Sequence, residues 1–323
     1  MADGLIVQPT DDGQRLDRWL KRHYPDISFG QMQKILRTGQ IRIDGKRVKG
    51  DARLSAGQVL RIPPQLSMPT PKNEDGLSEK DAAFIKSLVI YQDEHILALN
   101  KPSGIATQGG SKIARHIDGL LNGLKRDGEK PHLVHRLDKD TSGVLLLARH
   151  AKAARALGDV FKSREIRKYY WAITVPAPAQ MEGKIKSTIA KTEGRGGERM
   201  MTVADDSGKM ALTFYSVIEN LADQVGWVAF WPRTGRTHQI RVHAAELGCP
   251  LLGDFKYGYE KDMLDAPGLP QTLHLHARRL IFEHPFTGRK VDITAPLGPD
   301  MRKTFKYFGF NTDDKSDPFE DVE

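Results

Sequence analysis

Residues 133–149 read LVHRLDKDTSGVLLLAR, a cluster of charges and turn formers set directly before an unbroken aliphatic run. Val144 to Leu147 have the length and composition of a buried strand, and Thr141, Ser142 and Gly143 supply the turn chemistry that ends a loop and starts that strand. Asp138 is thereby expected on a short loop anchored in a core. A rigid element then fixes the geometry while the loop exposes the carboxylate, a placement suited to catalysis.

Working outward, residues 88–91 and 95–99 have strand character, and Ile117, Leu120, Leu121 and Leu124 predict a helix over 112–126. An alanine-rich period predicts a second helix over 151–162, followed by an aromatic strand over 168–175. Lys168 and Tyr170, two apart on that strand, share a face. Strands are expected on either side of the loop EGRGGER at 193–199, which suits phosphate contact and a plain hairpin tip equally. A strand over 227–231 runs into Pro232, Arg233, Thr234, Gly235 and Arg236, and the period then turns helical over 237–247. Arg236 should stand where a strand gives way to a helix N-terminus, an anion-friendly place.

The net charge of +8 is localised. Residues 15–62 hold twelve Lys and Arg against four Asp, a surplus of eight, so the remainder of the chain is neutral. In this segment Leu16, Trp19 and Leu20, then Met32, Ile35 and Leu36, fall at helical spacing, with Ser28 as an N-cap and Gly39 as a stop. Ile41, Ile43 and Val48 alternate around Asp44-Gly45, a hairpin signal, and a last strand follows at 58–62. Arg18, Lys21, Arg22, Lys34, Arg37, Arg42, Lys46, Arg47 and Lys49 lie off the apolar positions and should share an outer face, the electrostatic footprint of a nucleic-acid binder. Residues 1–14 read as an extension, the Pro-rich stretch 63–83 as a linker, and 309–323 as a disordered acidic tail.

Several function classes are excluded. No apolar run is long enough to span a bilayer and the N-terminus lacks a signal-peptide pattern, so a cytoplasmic protein without membrane partners is expected. The lone Cys249 cannot form an internal disulfide. His238, His243, His274 and His276 match no common zinc spacing, and there is no phosphate-cradling loop, dinucleotide fingerprint or nucleophile elbow; neither metal nor cofactor is expected. A hydrolase built on His135, Asp138 and Ser142 is disfavoured, because triads draw their members from separate elements.

The string HRLDKDTSG at 135–143 resembles the signature of the RluA-type pseudouridine synthases. Lys168-Tyr169-Tyr170 and TGRTHQIR at 234–241 follow in the order that family shows, and residues 15–62 resemble an S4 RNA-binding domain. The resemblance implies an α+β protein: a small S4-like α/β domain, then a synthase core over 84–308 with a mixed, mainly antiparallel sheet flanked by helices. It implies cofactor-free isomerisation of uridine to pseudouridine in RNA, large-subunit ribosomal RNA above all, by a monomer. Asp138 would be the nucleophile and Arg236 its ionic partner, with Arg241 the runner-up. Tyr170 would pack against the target uracil and share in the final proton removal, and Arg136 would fill the space the base vacates. Substrate contacts are further implied for Lys168 and Arg241, and in the S4-like part for Arg18, Arg22, Lys34, Arg37, Lys46 and Arg47. A non-catalytic RNA-binding ribosome assembly factor is the alternative from another class; the presence of aspartate, tyrosine and arginine together favours the enzyme.

Overall fold

The computed structural model describes residues 4–24, 27–63, 66, 77–110, 115–163, 165–194, 197–205, 207–314 and 316–322. The chain divides into two compact units, Met1–Gly76 and Leu77–Glu323.

The first unit packs helices α1 (Leu16–His23) and α2 (Phe29–Arg37) with strands β1 (Leu5–Ile6), β2 (Arg42–Ile43), β3 (Lys46–Arg47) and β4 (Val59–Arg61), in sheet order β1-β4-β2-β3. Ser28 caps α2 as expected: its hydroxyl accepts from the Gln31 amide at 3.2 Å, and its own amide donates to the Gln31 side chain at 3.1 Å. Asp44 and Gly45 both take positive φ, 48° and 77°, the pair that a two-residue turn matching strand twist requires. Leu16, Trp19, Leu20, Met32, Leu36, Ile41, Leu54 and Leu60 form the core. Arg18, Lys21, Arg22, Lys34, Arg37, Lys46, Arg47 and Lys49 are exposed, whereas Arg42 is half-buried and donates to the Gly39 and Gly45 carbonyls.

The second unit is built on one large sheet. Its elements are α3 (Glu79–Ser87), β5 (Val89–Gln92), β6 (Ile96–Lys101), α4 (Ile117–Leu120), β7 (His132–Leu133), β8 (Ser142–Ala148), α5 (Ala151–Ser163), β9 (Arg167–Thr174), β10 (Glu182–Gly194), β11 (Gly197–Val203), β12 (Lys209–Leu221), β13 (Val225–Pro232), α6 (Gln239–Glu246), β14 (Leu275–Glu283), β15 (Lys290–Thr294) and α7 (Pro299–Phe308). Among the described residues the strand order is β11-β10-β12-β13-β9-β14-β8-β6-β5, with β15 on β14 and β7 on β8. Neighbours are antiparallel except β8 and β14, which pair in parallel through Ser142 and Gly143 against His276 and Ala277. Every residue of β8 is buried, which is why its sequence is continuously apolar rather than alternating. Gly143 sits at φ 109° where an added Cβ would run into the Ala277 carbonyl, so the close approach of the two central strands needs glycine there.

Three expectations are corrected. The helix over 112–126 is a single turn, α4, continued by a 3-10 turn over Leu121–Leu124; Gly119 and Gly123 interrupt it, and 111–114 lie outside the described residues. The stretch 63–83 is no linker throughout: Ser78 caps α3, accepting from the Asp81 amide at 3.1 Å, while 64–65 and 67–76 lie outside the described residues. The C-terminal segment is not a disordered tail in its described part. Phe310 and Phe319 are buried in the cluster of Trp171, Trp227, Trp231 and Phe305, and the Tyr169 hydroxyl donates to the Asp317 carboxylate at 3.2 Å. Two phenylalanines outweigh an acidic composition once they have an aromatic wall to pack on. The tip of the loop at 193–199 lies outside the described residues. Among the described residues no helix is long and apolar enough to cross a membrane.

Candidate active site

A cavity of about 780 Å³ opens on the second unit where the loop before β8, strand β9 and the junction of β13 with α6 converge; Arg136, Asp138, Lys168, Tyr170, Arg236 and Arg241 all line it. Three stretches far apart in sequence thus reach one hollow.

The Asp138 loop is pinned on both sides by residues 101–107. The Thr107 hydroxyl donates to the Leu137 carbonyl at 2.7 Å and accepts from the Leu137 amide at 3.2 Å. The Lys101 ammonium, at the fully buried end of β6, donates to the carbonyls of Pro102 (3.0 Å), Ile105 (2.8 Å) and Lys139 (3.0 Å). Burial pulls its pKa down to about 8, against the opposing charges of Asp140 and Asp138. The Gly104 amide also donates to the Lys139 carbonyl, and the Ser103 hydroxyl to that of Asp140. Hydrogen bonds to the backbone on either side of Asp138 leave its side chain free to face the cavity.

Lys168 and Tyr170 lie on one face of β9, as alternation requires, and both reach the cavity. Burial raises the Tyr170 pKa strongly and the Asp138 charge adds to it, so the phenol stays protonated at neutral pH. Its ring forms part of the cavity wall beside Asp138. Lys168 has its pKa lowered by burial and then by the neighbouring Arg233 charge. Arg136 is exposed at the rim.

The expected pairing of Arg236 with Asp138 is not formed. The Arg236 guanidinium donates to the Met210 carbonyl at 3.1 Å. Arg241, on the first turn of α6, grips Asp254 through two hydrogen bonds, Nε to Oδ2 at 2.7 Å and Nη2 to Oδ1 at 2.6 Å. Burial works to lower the Arg241 pKa, but the Asp254 bonds and charge outweigh it and Asp138 adds to the rise, so the result is an elevated value. Among the described residues the side chain nearest the Asp138 carboxylate in a polar contact is His238, Nε2 to Oδ2, at 3.9 Å.

The histidines considered as metal ligands are engaged otherwise. His243 bonds Ser187 and Thr213, His274 bonds Thr272 and Thr304, and His276 bonds Ser142 and the Ala295 carbonyl. Among the described residues no group of His, Cys, Asp and Glu is arranged to hold a metal ion. The disfavoured hydrolase arrangement is not formed: His135 Nε2 accepts from the Leu146 amide at 2.8 Å and its ring stacks on Phe161, while Ser142 is bonded to His276. Burial, helped by the Lys168 charge, pulls the His135 pKa down to about 3.

Comparisons with known proteins place the chain in a family. The family model described as RNA pseudouridylate synthase matches residues 95–246, and that of the S4 domain matches residues 14–60. The chain is 36% identical to the ribosomal large subunit pseudouridine synthase C of Rickettsia typhi, over 88% of this chain and 93% of that one. It is 34% identical to the protein of the same name in Escherichia coli, over 93% of this chain and 94% of the other. Among solved structures, human RNA pseudouridylate synthase domain containing 4 superposes with a TM-score of 0.61 at 29% identity, covering 72% of this chain and 98% of its own.

Proposed function

We propose, from the premise that the chain belongs to the RNA pseudouridylate synthase family and is an RNA isomerase carrying an S4 domain, that its substrate is large-subunit ribosomal RNA and that Asp138 is its reactive carboxylate. The observation that carries the site reading is the convergence of Asp138, Tyr170 and the arginines on one cavity of about 780 Å³, roomy enough for a nucleotide turned out of its helix. The substrate reading is supported by the names of the relatives aligned along nearly the whole chain.

The reaction breaks the bond between uracil nitrogen and ribose, turns the base, joins ribose to a ring carbon and releases that carbon's proton, while the freed nitrogen takes one up. It consumes no oxidant and no group donor. Asp138, ionised, starts the cleavage; backbone pinning at Leu137 and Lys139 holds it against the sugar. The target base must leave its stack, at a cost of about a few kcal/mol. Packing on the protonated Tyr170 ring offsets that by about 1–3 kcal/mol. Arg136 at the rim takes the place of the departed base, and Lys168 and Arg236 face the flanking phosphates. Arg241 holds a fixed positive charge near Asp138 through its grip on Asp254. Arg18, Arg22, Lys34, Arg37, Lys46 and Arg47 of the first unit contact RNA backbone, where shape and phosphate recognition suffice.

Ribosomal RNA as substrate implies a cytoplasmic enzyme. Pseudouridine mapping of ribosomal RNA from cells with and without the gene tests the reading: loss of signal at particular large-subunit positions is expected, and an unchanged map overturns the substrate.

A further inference from the structure

We infer that His238 positions Asp138, and that Tyr257 together with the Met200 backbone amide holds His238 in the tautomer that does so. The inference rests on the reading of Asp138 as the reactive carboxylate.

Three cations near Asp138 are bonded elsewhere, while Arg136, Lys139 and Lys168 also line the cavity. Arg236 is on the Met210 carbonyl, Arg241 on Asp254, and Lys101 on three carbonyls. His238 Nε2, 3.9 Å from Asp138 Oδ2, is the group that faces the carboxylate. Its backbone is in the left-handed region, φ 55° and ψ 20°, at the N-cap of α6. The other described non-glycine residues with positive φ, Asp44, Asp127, Ala222 and Asp223, lie outside the site. A side chain held in that conformation beside a reactive group is held there by its contacts.

Those contacts also fix the ring. The Met200 amide donates to the Tyr257 oxygen at 3.1 Å, so the phenol's own hydrogen is directed at His238 Nδ1, 2.7 Å away. A nitrogen that accepts carries no hydrogen, and the ring hydrogen therefore resides on Nε2, the atom turned toward Asp138. Tyr257 is in turn seated under the Arg241 guanidinium, 4.8 Å from its ring centre. Burial is the largest influence on His238 and disfavours its charged form; Arg241 and Lys256 act the same way, Asp138 and Asp254 oppose them, and the pKa is lowered overall. His238 is thus a neutral N–H donor at neutral pH. Strand β11, which carries Met200, reaches the nucleophile through two side chains.

The test uses full-length protein and an RNA that the wild type turns over. Single-turnover rates at saturating enzyme are measured for wild type, His238→Asn, Tyr257→Phe and Asp138→Asn, with RNA affinity and melting temperature alongside. Asparagine tolerates left-handed backbone, and phenylalanine keeps the ring under Arg241 while removing the hydroxyl. Both variants are expected to slow the chemical step about tenfold or more with unchanged RNA affinity. Melting temperature should stay near wild type in both, because the loss falls on the placing of the carboxylate and not on the fold. Should His238→Asn fail to fold, Tyr257→Phe decides. A slowed rate accompanied by weakened RNA affinity or a lowered melting temperature would mark a merely structural role and overturn the inference. So would wild-type rates in both variants beside a dead Asp138→Asn. If Asp138→Asn itself turns over normally, the reading of Asp138 falls and this inference with it.

Discussion

Arg241 and Asp254 form a two-pronged ion pair in which the aspartate side chain is wholly inaccessible and the arginine side chain is 9% exposed. A planar guanidinium matched to a carboxylate both neutralises and orients it. Removing one partner leaves the other charge buried alone, so Arg241→Met should lower stability by about 3–5 kcal/mol. Chemical denaturation with Asp254→Asn as a companion checks this; a change near zero for either would mean that water already reaches the pair.

Asp138→Asn should abolish pseudouridine formation while leaving melting temperature and RNA affinity near wild type, since the amide keeps the shape and removes the charge. Arg236→Lys should by contrast be mild, contrary to what pairing with Asp138 would produce. Lysine can still reach a carbonyl such as that of Met210 and still offers a charge to phosphate. Single-turnover assays at saturating enzyme separate the chemical step from binding. A large fall in that rate for Arg236→Lys would restore the arginine to the chemistry.

Replacing Lys34, Arg37, Lys46 and Arg47 together by glutamine should weaken RNA binding without slowing bound turnover. All four are exposed, so the fold should tolerate the change. The slope of log affinity against log salt should flatten by about 0.7–0.9 for each phosphate that is no longer neutralised. An unaltered slope would remove these residues from the RNA interface.

Buried His276 makes the second unit acid-sensitive. Burial pulls its pKa to about 4, against 6.5 in the unfolded chain. Between those values the unfolded state binds the extra proton, so stability falls as pH drops below about 6.5 and the decline is complete near pH 4. By pH 5 the cost is on the order of 2 kcal/mol. His276→Gln should remove part of this dependence, and denaturation midpoints measured from pH 7.5 to 5 would reveal it. Parallel curves for variant and wild type would assign the acid sensitivity to His135 and His243, whose pKa values are also depressed.

Legibility differed by element for physical reasons. Strand β8 was readable because a strand buried on both faces must be apolar throughout, and Lys168 and Tyr170 because alternation puts them on one side. The partner of Asp138 was not. Arg236 lies two residues before the left-handed His238 cap and bonds the Met210 carbonyl on another strand; nothing in TGRTHQIR announces either contact. The hold on Arg241 comes from Asp254, thirteen residues on, inside a stretch without periodicity. His238 drew notice only as a metal ligand, since the tyrosine that orients it lies nineteen positions away. The C-terminal segment misled because composition counts charges, whereas docking depended on Phe310 and Phe319 meeting aromatic neighbours.

The parallel seam between β8 and β14 has a consequence for how activity is acquired. It joins residues 134 positions apart, as the Ser142–His276 hydrogen bond at 2.8 Å marks, whereas β10 to β13 pair with their neighbours in the chain. Local pairings close quickly and distant ones slowly, because the entropy of a long loop must be given up before its contacts form. The meander bearing Trp227 and Trp231 is therefore complete while the Asp138 loop is still apart from the segment carrying His238 and Arg241. During renaturation, recovery of turnover is therefore expected to lag behind formation of the β10–β13 meander, because the catalytic hollow needs the distant seam as well.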